Sequence, residues 1–209
     1  MNKHVKELLY ISLWSLPVIL MFLSSAVTEV DTEIPFEIFD RKIMLISNSL
    51  ALILLGLPYF AIWKNTNYNM NFKKVSLSSI VFVFILTFLF VLVDSPIVIW
   101  NKSVVFPEFL SSFETWAKLK ESQLEELTIY LVSFDNFNEY LIGIIAIAII
   151  PGFFEEFLFR GIIQKNFYLI SRNHHLAIWL SAFIFSAIHM QFYGFFPRLF
   201  MGVLFGYLF

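Results

Sequence analysis

Two acidic side chains and one histidine stand in stretches of the chain that are otherwise apolar. Glu155 and Glu156 are adjacent in the segment PGFFEEFLFRG, and His189 ends the segment FSAIH. An ionisable group inside a membrane helix is costly unless it is paired, hydrated or neutralised, so its default interpretation is a functional site. A carboxylate and an imidazole that share a cleft can bind and polarise one water molecule, which is the chemistry of general acid–base hydrolysis.

Arg160 separates the roles of the two carboxylates. Glu156 and Arg160 are four residues apart, so they lie on one face of a helix in the favourable order for an ion pair. Glu155 is rotated by about 100° from Glu156 and faces a different neighbour. We therefore expect Glu156 and Arg160 to form a structural pair and Glu155 to carry the chemistry.

His189 gains weight from its spacing to Glu155. A lone histidine near a helix end is more often a packed or interfacial residue than a catalytic one. The midpoint between Glu155 and His189, however, is residue 172, inside the polar segment 171–175 that interrupts the apolar pattern. Two antiparallel helices joined there bring Glu155 and His189 to the same height, with Phe185 on the helical face of His189.

The two motifs together resemble those of a known family. EExxxR at Glu155 to Arg160, followed by FxxxH at Phe185 to His189, resembles the CAAX protease and bacteriocin-processing (CPBP) intramembrane peptidases, which include type II CAAX prenyl endopeptidases. A glycine-spaced helix with Gly202 and Gly206 also resembles the family, and the resemblance covers 140–209.

The resemblance implies a role for each motif residue. Glu155 and His189 would activate the attacking water, Glu156 and Arg160 would hold the site, and Phe185 would form a wall of the cleft. The family has been described both as metalloproteases and as glutamate peptidases. No cofactor is firmly implied, but Glu155 and His189 are two ligands of an incomplete zinc set, so a zinc site stays open.

A third motif of the family, HxxxN or HxxxD, is absent from the 209 residues of this sequence. In the family it follows on a later helix and is associated with the oxyanion of the tetrahedral intermediate. The last apolar run, 199–209, has 11 residues, and its length of about 16 Å is short of a bilayer core of about 30 Å. We therefore expect a truncated sequence, in which loss of the oxyanion donor costs on the order of a hundred- to a thousandfold in rate.

The composition indicates a membrane protein. Hydrophobic residues make up 59% of the 209 residues and charged residues only 14%, whereas a soluble domain carries about 25% charged residues. A net charge of -2 argues against a nucleic-acid partner. The chain has no cysteine, which excludes a disulfide, a thiol nucleophile and a thiolate zinc site.

The apolar runs predict an all-α fold, a polytopic transmembrane helix bundle with about six segments, the last of them incomplete. A spanning helix needs roughly 20 apolar residues. The runs are 8–27, 43–63, 75–93, 140–163, 176–193 and 199–209. Lys3 and Lys6 precede the first run, which is too long for the apolar core of a signal peptide, and predict a cytoplasmic N-terminus in what we expect to be a bacterial cell membrane.

The chain is divided into two parts. Residues 1–139 hold the N-terminal transmembrane segments and a surface loop, in which 108–137 is predicted to be an amphipathic helix. Residues 140–209 are the catalytic core, incomplete at the C-terminus. Gly202 and Gly206 are expected to pack helices within the bundle.

The sequence favours an intramembrane endopeptidase that hydrolyses peptide bonds near the cytoplasmic membrane surface. Its partners would be membrane lipid and a peptide or protein substrate processed near its C-terminus. The alternative is a non-proteolytic family member that acts as an immunity or scaffold protein. A small transporter with a proton relay is disfavoured, because the first three runs contain few polar residues.

Overall fold

A computed structural model describes residues 6, 40–50, 53 and 76–209 of the chain. Every regular element in these ranges is a helix, as predicted. The predicted run 8–27 and most of the run 43–63 lie outside the described residues; the described helical residues 41–50 include the start of the second run.

Helix α1 extends from Leu77 to Lys102 and contains the predicted third run. The Ser76 side chain caps its N-terminus by accepting a hydrogen bond from the Ser79 backbone N–H at 3.1 Å. The predicted run ended at Val93, which was too early, because the helix continues and includes Asp94. An acidic residue therefore lies within this apolar helix, a position that the sequence analysis had missed.

Helix α2, Ser111–Val132, follows a single 3₁₀ turn at Glu108–Leu110, so a helix is present within 108–137 but is shorter than predicted. The Phe113 ring packs against the rings of Phe106 and Phe192, at centroid distances of 5.2 and 5.8 Å. In the first turn of α2, Glu114 accepts a hydrogen bond from the Lys118 ammonium at 2.6 Å, which lowers the pKa of the carboxyl group. The position of α2 on a membrane surface stays a prediction.

Helix α3 is a single helix of 35 residues, Phe137–Ser171. Asn136 caps it by accepting from the Glu139 N–H at 3.0 Å. Its turns alternate between α and π geometry, with the bounds Phe137–Gly143 (α), Ile144–Ile149 (π), Ile150–Glu156 (α), Phe157–Gln164 (π) and Lys165–Ser171 (α). The second π segment buries six of its eight residues. This segment, which includes Arg160, is the part of α3 that packs most deeply in the bundle.

The turn predicted at 171–175 is present and joins α3 to helix α4, His174–Ala187. Arg172 ends α3 in the left-handed region, at φ 56°. The Asn173 side chain then caps α4 by accepting from the Leu176 N–H at 3.1 Å. Arg172 thus ends α3 and Asn173 begins α4. Because only these two residues separate the helices, α3 and α4 form a hairpin.

Helix α5, Phe195–Leu208, packs closely along α4. A Cβ atom at Gly202 would lie 3.2 Å from the Ala182 Cα, and one at Gly206 would lie 2.7 Å from the Ile178 Cγ2. The absence of a side chain at these two positions lets the helices approach, so the predicted packing of Gly202 and Gly206 within the bundle is confirmed.

Two of the described helices, α1 and α3, are long and apolar enough to cross a membrane. Helices α4 and α5 are apolar but have 14 residues each, fewer than the roughly 20 of a full crossing. The total of about six transmembrane segments stays a prediction.

Candidate active site

Arg160 is the buried charge around which the hairpin and α5 are assembled. Its side chain is on the π segment of α3, and the residue is only 2% exposed. One guanidinium nitrogen, Nη2, donates to the Gly202 carbonyl at 3.2 Å. The guanidinium also lies over the rings of Phe185 and Phe205, 5.3 and 5.6 Å from their centroids. Arg160 therefore joins α3, α4 and α5.

The predicted ion pair between Glu156 and Arg160 is present. Arg160 Nη1 is 3.3 Å from Glu156 Oε1, and the Glu156 side chain is 46% exposed. One turn further along, Gln164 Nε2 donates to the Gly206 carbonyl at 3.0 Å. Arg160 and Gln164 thus hold α5 by the backbone carbonyls of Gly202 and Gly206, on the same four-residue spacing.

A dry aromatic contact fixes the alignment of α3 and α4. The rings of Phe159 and Phe185 meet edge to face with centroids 5.0 Å apart, and both residues belong to one buried cluster with Ile163. Beside them, Ser181 Oγ donates to the Phe159 carbonyl at 3.2 Å. Phe185 therefore lies at the contact between α3 and α4, with its ring centroid 5.0 Å from that of His189; its role as a wall of the cleft stays a prediction.

Glu155 is four residues before Phe159, and His189 is four residues after Phe185. Both are therefore further from the hairpin turn than the aromatic contact is. Within the described part of the chain, Glu155 makes no hydrogen bond or ion pair, and the two side chains do not hydrogen-bond each other. Arg198 on α5 is within electrostatic range of both Glu155 and His189. The structure places the two residues on the same side of the hairpin without joining them directly.

Hydrogen bonding sets the tautomer of His189. Its Nδ1 is 2.7 Å from the Phe185 carbonyl oxygen, which can only accept, so Nδ1 carries the hydrogen. In the neutral ring Nε2 then has a free lone pair. That atom can accept a proton or a hydrogen bond from water.

The turn between α4 and α5 that carries His189 is braced by two fully buried polar residues. Asn101, at the end of α1, donates from Nδ2 to the Phe192 carbonyl and accepts at Oδ1 from the Phe196 N–H, both at 3.2 Å. Ser186 Oγ donates to the Phe195 carbonyl at 2.5 Å. These bonds tie backbone groups of the turn to side chains of α1 and α4.

The sequence analysis missed Asn101 and Arg198. Arg198 lies just before the predicted run 199–209, in the apolar context FFPRLF, and its Nη2 donates to Gln191 Oε1. The rule that selected Glu155, a charge among apolar residues, applies equally to Arg198. Asn101 gave no such signal, since a single amide at the end of a helix is ordinary.

The described residues do not assemble a zinc site. Among the residues that the structure describes, no group of three or more histidine, cysteine, aspartate or glutamate side chains is arranged to hold a metal ion. Glu155 and His189 therefore have no third protein ligand from the described residues, whereas a catalytic zinc site uses three. We derive no step through a metal.

The helical hairpin is apolar and buries Arg160, and Glu155 and His189 lie near it. These features define a membrane protein with a candidate hydrolytic site. Residues 137–209 match the family model described as type II CAAX prenyl endopeptidase Rce1-like. The match covers about a third of the chain and agrees with the resemblance to the CAAX protease family that the sequence indicates over 140–209. The match does not include residues 1–136. No curated protein and no solved structure matches the chain.

Proposed function

We propose that this protein is an intramembrane endopeptidase in which Glu155 and His189 activate a water molecule. The observation that carries the proposal is the contact of Phe159 with Phe185, because it aligns the two helices so that both ionisable residues follow it at equal spacing. The family match over 137–209 supports a CAAX-protease-like activity in general.

In the proposed reaction, Glu155 removes a proton from a water molecule while the water oxygen attacks the carbonyl carbon of the peptide bond. The His189 Nε2 accepts a hydrogen bond and keeps the water oriented, since Nδ1–H is held by the Phe185 carbonyl. The new C–O bond gives a tetrahedral intermediate. As the C–N bond breaks, the proton held by Glu155 passes to the leaving amine nitrogen.

Glu156, Arg160 and Phe185 support the site without reacting. Arg160 fixes α3 to α5 through the Gly202 carbonyl, and Phe185 accepts the guanidinium on one ring face and stands 5.0 Å from the His189 ring. Their proposed task is to hold Glu155 and His189 at a constant separation, which a water-activating pair needs.

The proposed substrate is a peptide or protein cleaved near the cytoplasmic membrane surface. Lys165 and Arg172 lie near the hairpin turn, and basic residues are enriched on the cytoplasmic side of membrane proteins. The hairpin turn would then face the cytoplasm, with Glu155 between about four and five turns from Arg172. A prenylated C-terminal tail is the substrate class that the family name indicates.

The second candidate is a non-proteolytic family member that uses the same helices to bind a partner, as an immunity or scaffold protein. One observation favours it, namely that no hydrogen bond joins Glu155 and His189 in the described part of the chain. The same fold can host either function, so the decision rests on the chemistry of the site.

The discriminating experiment is proteolysis by the full-length protein in liposomes. A farnesylated CAAX peptide, its unfarnesylated form and a mixed peptide library would be incubated with the wild-type protein and with Glu155→Gln, and new termini identified by mass spectrometry. Cleavage that depends on Glu155 supports the peptidase. Equal cleavage by both proteins would rule out Glu155, and none by either would favour the binding protein.

The matched control is Glu125→Gln. Glu125 is an exposed residue on α2, so the same chemical change is made away from the site. This variant is expected to cleave at the wild-type rate. A loss of cleavage in both variants would point to a general effect of altered charge.

A further inference from the structure

A second polar site lies between α1, α2 and α5, beside the candidate active site. It is a cavity of ≈ 200 Å³, and its lining includes Asp94 from α1, Glu121 from α2, Arg198 from α5 and Tyr193 from the turn before α5. Three separate helices thus direct ionisable or polar side chains to one place in an otherwise apolar bundle.

Each of these four side chains carries a buried atom without a hydrogen-bond partner among the residues that the structure describes. The atoms are Asp94 Oδ1, Glu121 Oε2, Tyr193 Oη and Arg198 Nη1. Tyr193 is only 4% exposed, so its hydroxyl cannot reach bulk solvent. Burying polar atoms in this way is unfavourable unless something in the cavity completes their hydrogen bonds.

The lining selects a neutral occupant that both donates and accepts hydrogen bonds. Two carboxylates, Asp94 and Glu121, oppose binding of an anion, whereas the guanidinium of Arg198 and the nearby Lys102 oppose binding of a cation. Water meets both demands, and a cavity of ≈ 200 Å³ has room for several water molecules.

Arg198 connects this cavity with the candidate active site. It is within electrostatic range of Glu121 on one side and of Glu155 on the other, and His189 lies within the same range. Its Nη2 donates to Gln191 Oε1. Its Nη1 is buried and has no hydrogen-bond partner among the described residues. The guanidinium therefore lines the cavity and also acts electrostatically on the pair of residues that would need water.

We propose that this cavity is a hydrated chamber, lined by Asp94, Glu121, Tyr193 and Arg198, that supplies the water hydrolysed against the peptide bond. The supply role rests on the proposed peptidase function, whereas the hydration of the chamber does not. An intramembrane hydrolase needs such a reservoir, because its reactant is scarce in the apolar surroundings of its helices.

Hydration is tested by hydroxyl-radical footprinting of the full-length protein in liposomes, with brief X-ray exposure and mass spectrometry. Radicals form from water next to the side chain that they modify, so Tyr193 and the cavity residue Met201 report on the chamber. The control is Phe159, which is 2% exposed but belongs to the dry aromatic cluster. Tyr193 should be modified about tenfold faster than Phe159. Equal rates would show a dry cavity and overturn the proposal.

The supply role is tested with the double variant Asp94→Leu, Glu121→Met, which makes the chamber apolar. Modification of Tyr193 should fall to the level of Phe159, and peptide cleavage should fall with it. Tyr193→Phe, a milder change, should give a partial loss of cleavage and keeps the test available if the double variant does not fold. Full cleavage by a folded double variant with a dry chamber would contradict the supply role.

The two proposals fail in different ways. If Glu155 is not catalytic, cleavage is unchanged by Glu155→Gln while the footprint of Tyr193 stays high. If the chamber is dry, the footprint is low even though Glu155→Gln abolishes cleavage.

Discussion

The Phe159 and Phe185 rings meet edge to face, with centroids 5.0 Å apart. Phe159 is four residues from Glu155 on α3, and Phe185 is four residues from His189, which lies in the turn after α4. This contact converts a spacing in the sequence into an alignment in space. It depends on the turn at Arg172 and Asn173, which sets how far each helix extends from the hairpin. The account of the site therefore makes testable claims about packing as well as about chemistry.

Removing the Phe185 ring should destabilise the hairpin. Phe185→Ala deletes contacts with Phe159, with the Arg160 guanidinium and with the His189 ring, and is expected to cost about 3 kcal/mol in the free energy of unfolding. Unfolding in mixed detergent micelles measures this cost. Phe183→Ala is the matched control on the same helix, because Phe183 is 53% exposed, and should cost about 0.5 kcal/mol or less. Equal costs for the two variants would refute the buried contact.

Arg160 should matter more to stability than its acidic partner. The Glu156 side chain is 46% exposed, so Glu156→Gln is expected to cost about 1 kcal/mol or less. Arg160→Lys loses the fork that reaches both Glu156 and the Gly202 carbonyl, and is expected to cost about 2 to 3 kcal/mol. Thermal unfolding of the two variants compares them directly. A larger effect at Glu156 would mean that the ion pair, and not the link to α5, holds the helix.

The approach of α4 and α5 predicts opposite results at two glycines. In Gly202→Ala the new methyl group would lie 3.2 Å from the Ala182 Cα, and the strain is expected to cost about 1 to 3 kcal/mol. Gly152→Ala is the control, because a methyl group there meets no atom within 4 Å. It should leave stability unchanged or raise it by about 0.5 kcal/mol, since alanine favours the helix. Unfolding curves that rank the variants in the other order would show that α4 and α5 are further apart.

Asn101 is expected to hold the turn that carries His189. Asn101→Leu removes the acceptor of the Phe196 N–H and one of the two donors to the Phe192 carbonyl, which keeps its bond from the Phe195 N–H, and is expected to cost about 1 to 2 kcal/mol and to reduce cleavage. The exposed Asn138 provides a control, Asn138→Leu, with little expected change. If both variants cleave equally well, the turn does not need this brace. Stability and cleavage rate, measured on the same samples, separate loss of fold from loss of position.

The sequence predicted what depends on local spacing. The pair of Glu156 and Arg160, the turn near residue 172 and the glycine contacts of α5 all follow from helical periodicity and from caps, which act over a few residues. These elements are present in the structure. The motifs EExxxR and FxxxH could be recognised because each is a short spacing within a few residues.

What the sequence could not predict arises from contacts between distant segments. Asn101 binds backbone groups that are 91 and 95 residues away, and no pattern near Asn101 records them. The cavity of Asp94, Glu121 and Arg198 likewise exists only once three helices have packed. Asp94 was missed because the predicted run stopped one residue before it, and Arg198 because the last run was taken to begin one residue after it.

The measurement that tests the central claim most directly is a double-mutant comparison of cleavage rates for Glu155→Gln, His189→Ala and the combination, in the full-length protein with verified folding. Two residues that activate one water molecule act as a unit. Each single variant should therefore lose on the order of a hundred- to ten-thousandfold, and the double variant little more. Additive losses would show that the two residues act independently, and a single variant that cleaves at the wild-type rate would contradict the account.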